Sequence, residues 1–279
     1  MLHLTSYERM RRYLSTVTGT WLTDSKAQKQ MIMGWISSTS KQIEEHLKRT
    51  LTYGSYTEYF DTLNESYVQL YVKAYPITTL TSVYLCSDGL WDGSETEVDD
   101  CFLNRGNNGV FLPASPAVLG YKTHRIIYTG GLAYSGVRSL FTLSSSSGTW
   151  TPNSFVYGGT SEAVGIIKSI VSTTLTVEVL YGVFIAGELL TEYSDEDCTS
   201  AGDASATLSV IAQQSLVEQY PDIVRAAEIQ VRHYWKHKDD FDLSSTSKDG
   251  TNQKFSSNKH NALTDETMNF LEPYINRHI

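Results

Sequence analysis

The chain has 279 residues, of which 41% are hydrophobic and 19% charged, and its formal net charge is -9. A chain of that length and apolar content buries a real core, as one large domain or two small ones, which excludes a disordered protein. Its acidity disfavours non-specific binding to phosphate backbones and anionic membranes, so a DNA-facing role is open only where sticking would be a defect.

The first fifty residues read as a helix pair. Thr5-Ser6-Tyr7-Glu8 has capping-box spacing with Thr5 as the cap, and Met10, Leu14 and Val17 follow at helical intervals. Gly19 and the polar stretch 20–24 interrupt that pattern. A longer helix then carries Ile32, Ile36, Ile43 and Leu47 on one stripe, with Glu44–Lys48 and Glu45–Arg49 as i,i+4 pairs on its outer face.

From Tyr53 the hydrophobic period drops to two. Val68, Leu70 and Val72 alternate with polar and aromatic neighbours, and further strands are expected at Val83-Tyr84-Leu85, Val110-Phe111-Leu112 and Arg125 to Thr129. Gly89, Gly93, Gly109 and Gly130-Gly131 punctuate them as turns. The serine run at 144–148 reads as a hinge. Between it and Ile211 the chain is again β-rich, with an echo between Phe155-Val156-Tyr157-Gly158-Gly159 and Phe184-Ile185-Ala186-Gly187-Glu188 that suggests two related β units.

Helix returns at Tyr220-Pro221-Asp222, because proline suits the first helical position. Val224, Ala227, Val231 and Tyr234 mark its stripe. Residues 241–261 are polar and read as a mobile connector, after which Thr264 caps a short helix bearing Met268, Leu271 and Ile275. The predicted fold is α+β: a helical core with an antiparallel β region and an inserted small β-barrel or β-sandwich. Its expected parts are 1–139, the helix pair and β region; 140–213, the inserted β domain; 214–243, the Pro-led helix completing the core; and 244–279, the connector and C-terminal segment.

Little in the sequence points to catalysis. Cys86, Cys101 and Cys198 have no C-x-x-C spacing, which argues against a disulfide framework or zinc site and for a reducing cytosolic origin. No signal-like apolar run opens the chain, and no stretch is long enough for a membrane span, so a soluble protein is expected. His233 and His237 stand at i,i+4, but Tyr234 occupies the place of the zinc-protease Glu. A third ligand would have to come from Asp239, Asp240 or Asp242, so a surface or interface pair is the preferred reading. Asp195-Glu196-Asp197 lacks EF-hand spacing and reads as a solvated loop. No phosphate-cradling glycine motif or Gly-x-Ser-x-Gly elbow is present. No cofactor, metal or catalytic residue is assigned. Basic residues do cluster on helices, at Arg9, Arg11 and Arg12, at Lys48 and Arg49, and at Arg225, Arg232, Lys236 and Lys238. They read as solvated faces or as complements to an acidic partner. Tyr7, Tyr13, Trp21 and Trp35 form an aromatic stripe suited to core or interface.

The order of the elements is more informative than any one of them. A helix pair ending Leu47-Lys48-Arg49 leads to a strand running into Tyr75-Pro76-Ile77, then to Tyr128-Thr129-Gly130-Gly131. Tyr220-Pro221-Asp222-Ile223 opens a helix ending His233-Tyr234-Trp235, and Leu271-Glu272-Pro273-Tyr274 closes the chain. Over roughly residues 1–139 and 214–279 this resembles the head-to-tail connector (adaptor, or head-completion) family of tailed bacteriophages, with 140–213 as an insertion. The resemblance implies a virion neck protein, made in the host bacterial cytoplasm, that is structural and not an enzyme. It implies a homo-oligomeric ring of about twelve subunits below the portal protein, joined to a stopper or tail protein. Double-stranded DNA would pass through its channel without specific binding, and no membrane partner is expected. The portal-docking residues it implies are Met268, Phe270, Leu271, Pro273, Tyr274 and Ile275. Two other readings come from different classes. One is a virion β module binding carbohydrate or a receptor, suggested by the insertion and eighteen tyrosines. The other is a hydrolase whose site is assembled from distant residues.

Overall fold

The structure, a computed structural model, describes residues 2–19, 25–62, 68–86, 88, 90–113, 120–133, 136–238, 246–248, 251–253 and 263–275. It is α+β, with helices, antiparallel sheets and a closed six-stranded barrel. The chain divides into two compact units, one holding Met1–His46 with Ser135–Tyr274 and the other built on Leu47–Tyr134.

The helix pair is α1 (Tyr7–Thr18) and α2 (Lys26–Leu47). The cap of α1 is Ser6 and not Thr5: the Ser6 hydroxyl accepts the Arg9 N–H at 3.2 Å. Thr5 is buried and donates to Glu228 Oε1 at 3.4 Å, a tertiary bond that local spacing does not reveal. Met10, Leu14, Ile32 and Ile36 are fully buried in one cluster, while Val17 is 44% exposed. On α2, Glu45 pairs with Lys41 at 3.7 Å. The expected Glu45–Arg49 pair gives way because Lys48 takes a left-handed φ of 52° just past the helix end. Arg49 is thereby buried over the Tyr75 ring, 3.5 Å from its centroid, and donates to the Tyr75 carbonyl.

The Leu47–Tyr134 unit contains β1 (Gly54–Thr62), β2 (Val68–Tyr71), β3 (Ile77–Leu85), β4 (Thr96–Glu97), β5 (Phe102–Leu103), β6 (Gly109–Leu112) and β7 (Gly120–Gly130). They make two antiparallel sheets, ordered β1-β7-β3-β4 and β2-β6-β5. Leu70, Val72, Val83, Val110, Leu112, Ile126 and Tyr128 fill the core, as period-two alternation requires. The Tyr128 hydroxyl donates to Glu58 and accepts the Ala74 N–H at 3.1 Å. Burial and the carboxylate raise its pKa well above the usual phenol range. Gly131 follows β7 at φ +111° with the Thr52 carbonyl where a Cβ would stand, so only glycine fits.

The barrel strands are β8 (Arg138–Ser147), β9 (Phe155–Gly158), β10 (Val164–Val171), β11 (Thr174–Tyr181), β12 (Leu189–Tyr193) and β13 (Ala201–Gln213), closed in the order β10-β11-β8-β13-β12-β9. The serine run at 144–148 is not a hinge. It is the outer half of β8, paired Ser144↔Thr207 and Ser147↔Ser205, and the strand ends at Gly148 with φ +73°. Serines on an exposed strand face mimic a linker in composition because nothing there needs an apolar side chain. The expected β repeat is also absent: residues 155–158 are strand, whereas 184–188 form the connection between β11 and β12. Phe184 in that connection is buried edge-on against Phe141, with ring centroids 5.0 Å apart. Phe141, Val156, Ile167, Leu175, Val177, Leu190 and Leu208 are fully buried, so the barrel is packed like a small core and not hollow.

Buried glutamates fix the barrel connections. Glu188 accepts the N–H groups of Ile185, Thr160 and Ser161 at 2.8, 3.2 and 2.9 Å. Glu192 accepts the Thr151 N–H at 2.9 Å and the Ser154 hydroxyl at 2.5 Å. Beyond the barrel come α3 (Leu216–Gln219) and α4 (Pro221–Lys236). Pro221 opens α4 in its first turn. A capping box at Ser215 and Glu218 precedes it, a Ser-x-x-Glu signature the sequence reading passed over. A two-stranded hairpin, β14 (Thr246–Lys248) and β15 (Thr251–Gln253), α5 (Asp265–Leu271) and a 3-10 turn at Glu272–Tyr274 complete the described elements.

The compact units therefore group the helices with the barrel, where the sequence reading grouped them with the first β region. The reason is visible at Arg9. Its side chain pairs with Glu228 of α4 and donates to the Val179 and Leu180 carbonyls of β11, tying α1 and α4 to the barrel.

Candidate docking site

The C-terminal segment is held more firmly than its polar connector suggests. Thr264 caps α5 by accepting the Thr267 N–H at 3.2 Å. The buried Gln230 of α4 accepts from Thr264 N at 2.9 Å and from Thr267 Oγ1 at 3.2 Å. Arg232 and Glu266 pair at 3.1 Å. At the far end the Tyr274 hydroxyl lies 3.4 Å from Asp222 Oδ2, and its ring meets Tyr220 edge-on with centroids 6.1 Å apart. Partial burial, then the nearby Asp222 carboxylate, push the Tyr274 pKa up. A helix of seven residues is marginal alone, so these contacts with α4 are what order it.

Of the expected docking residues, Leu271 is fully buried against this chain. It is core, and the expectation that it faces a partner is corrected to that extent. Met268, Phe270 and Tyr274 are half-buried and Pro273 is exposed, leaving their outer surfaces accessible. Ile275 is half-buried and falls outside the compact unit that holds the others.

The basic residues expected to meet an acidic partner are largely engaged within the chain. Arg9 pairs with Glu228 at 2.9 Å, Arg11 with Glu8 at 3.4 Å and Arg12 with Glu196 at 2.8 Å. Arg225 reaches Glu228 at 3.7 Å and lies over the Tyr13 ring. One signal was readable: Glu228 follows Val224 by four residues and precedes Val231 by three. An acid therefore sits on the buried stripe of α4 and needs a cation opposite.

His233 and His237 do lie together, with ring centroids 4.7 Å apart. Among the described residues no group of three or more His, Cys, Asp and Glu is arranged to hold a metal ion. Asp239, Asp240, Asp242 and Trp21 lie outside the described residues. Asp195 accepts the N–H groups of Thr199 and Ser200 and the Thr199 hydroxyl, which hold its pKa down at about 2. That is a loop-fixing role for the acidic triplet's first member. Among the described residues no helix is long and apolar enough to cross a membrane. No protein-family model and no curated protein matches the chain.

Proposed function

We propose that the chain is a structural head-to-tail connector subunit of a tailed phage virion, assembling as a ring below the portal and extending the DNA channel. The observation that carries this reading is the succession of helix pair, β region, Pro-led helix and separately capped C-terminal helix. It is the order in which the connector family presents its elements. The accessible faces of Met268, Phe270, Pro273 and Tyr274 are the portal-docking surface in this reading, and Leu271 is the anchor that holds them on α4. The net negative charge suits a channel through which DNA slides.

The test is a pull-down of the cognate portal by the full chain and by Phe270→Ala and Met268→Asp variants, with circular dichroism checking that each variant is folded. A tenfold or greater loss of retained portal is expected, together with electron micrographs of portal complexes carrying a ring of the wild-type chain. Equal retention by both folded variants would place docking elsewhere. The carbohydrate-binding alternative gains no specific support, since the inserted barrel is filled with its own side chains.

A further inference from the structure

His233 lies in the last turn of α4 and His237 is its C-cap, and both are half-buried. The His237 N–H donates to the His233 carbonyl at 3.2 Å, so the helical repeat persists to His237 and the two side chains leave one face, one above the other. Their ring centres are 4.7 Å apart. That separation has a chemical meaning. With metal–nitrogen bonds of about 2.0–2.1 Å, and a ring nitrogen about 1.1 Å from its ring centre, two imidazoles on one ion have centres about 4.5–5.2 Å apart. The lower figure belongs to a square arrangement of ligands and the upper to a tetrahedral one. The pair already stands inside that range.

The turn that carries the pair is held from behind. The buried Tyr234 donates to Gln42 Oε1 of α2 at 2.9 Å, and Trp235 meets Trp35 edge-on with ring centroids 6.4 Å apart. Donors on a fixed turn lose little freedom when an ion arrives, which is what preorganisation contributes. The charge setting also suits a cation. The carbonyl end of a helix carries partial negative charge. Arg232, beside the pair, is drawn aside to Glu266 at 3.1 Å, and the Lys238 ammonium sits 4.4 Å from the Trp235 ring centre. Lys236 is exposed, where water and salt screen its charge.

We propose that His233 and His237 form a two-point chelate for a borderline divalent transition-metal ion, with Zn²⁺ and Ni²⁺ as its simplest probes. Imidazole suits Zn²⁺, Ni²⁺ and Cu²⁺, whereas Mg²⁺ and Ca²⁺ prefer oxygen from carboxylates, carbonyls and water. The pair supplies two donors, so water fills the remaining positions and the site is open, unlike a closed structural centre. This site goes beyond the connector reading and does not depend on it.

The experiment is isothermal titration of the full, untagged chain with Zn²⁺, Ni²⁺ and Mg²⁺ at pH 7.5. Wild type is compared with His233→Ala, His237→Ala, the double variant and His3→Ala, each checked by circular dichroism. Wild type should bind Zn²⁺ and Ni²⁺ at a site of one ion per chain and give no binding with Mg²⁺. Removing either imidazole should weaken that site at least tenfold, removing both should add little more, and His3→Ala should bind as wild type does. A second measurement needs no variant: saturating Zn²⁺ should protect His233 and His237, but not His3, from carbethoxylation mapped by mass spectrometry. If an alanine variant is unfolded, that protection decides. A wild type that binds neither ion, that binds Mg²⁺ equally well, or that keeps its affinity when either imidazole is removed overturns the chelate. None of these results bears on portal docking, which the pull-down tests separately.

Discussion

At the residue scale, the informative positions are polar groups inside the fold. His124 on β7 is fully buried, with Nδ1 3.2 Å from Thr123 Oγ1 and no hydrogen-bond partner at Nε2 among the described residues. Burial disfavours the imidazolium and lowers its pKa. In the unfolded chain the ring titrates near its ordinary value of about 6.5. Below that pH the unfolded state binds a proton that the folded state resists, so this contribution to stability is fully present above about 6.5 and is lost as pH falls from there through the lowered folded-state value. Melting temperatures of wild type and His124→Gln between pH 7.5 and 5 should show the steeper decline in wild type; parallel declines would acquit His124. Arg9 is the second case. Arg9→Ala would leave Glu228 nearly buried with only the Thr5 hydroxyl and the longer Arg225 contact, at a cost of about 3 kcal/mol. Chemical denaturation of Arg9→Ala, Glu228→Gln and the double variant should show the two changes strongly non-additive, and simple additivity would mean that the pair does not act as one. Neither residue was legible as internal from the sequence. Arg9 looked like one of three surface cations because a tertiary partner 219 positions away leaves no local trace.

Elements whose pattern is set by burial were legible, and those set by pairing or by a polar anchor were not. β2, β3, β6 and β7 declared themselves through alternation, and α4 through Pro221 and its apolar stripe. The outer half of β8 did not, since Ser144 to Ser147 are all exposed and carry no apolar rhythm. The C-terminal segment was visible as a capped helix, but its attachment was not, because Gln230 looks like any polar residue on a helix. That attachment changes what truncation should do. Ending the chain after Asn261 removes the burial of Leu271 and leaves the Gln230 carbonyl without the partners from α5. Losing a buried leucine and losing two hydrogen bonds to a buried side-chain carbonyl each cost about 2 kcal/mol or more. The truncated chain should keep most of its circular dichroism but melt about 5–15 °C lower, given the usual conversion for a domain of this size. An unchanged melting temperature would show that α5 is only loosely associated with α4.

At the scale of the whole molecule, the inserted β domain was legible as composition and its true edges were not. The sequence places the boundaries near 140 and 213, inside β8 and at the end of β13. The chain actually leaves and returns where the Leu216 N–H donates to the Gly136 carbonyl at 2.8 Å and the Ser215 N–H to Ser139 Oγ at 2.9 Å. Two backbone positions eighty residues apart are thus fastened together, a relation that only a completed fold exhibits. Closure has a further consequence. A barrel has no free edge to protect and encloses its own apolar core, so its stability does not require a neighbouring sheet. Glu218 adds to this self-sufficiency, since its carboxylate accepts from Ser139, from Ser215 and from the Phe184 N–H, joining the first strand, the last turn and the β11–β12 connection. A fragment spanning residues 136–219 keeps all of these groups. It should fold alone, giving a β-type circular dichroism spectrum and a single cooperative melt. That melt should come below the whole chain's, because the Val179 and Leu180 carbonyls lose Arg9. A Glu218→Ala change in the same fragment should lower the transition further, by about 2 kcal/mol, because the Phe184 N–H loses its acceptor. A fragment with no cooperative transition would show that the barrel depends on α1 and α4 for its fold, and that the insertion and the helices are one folding unit.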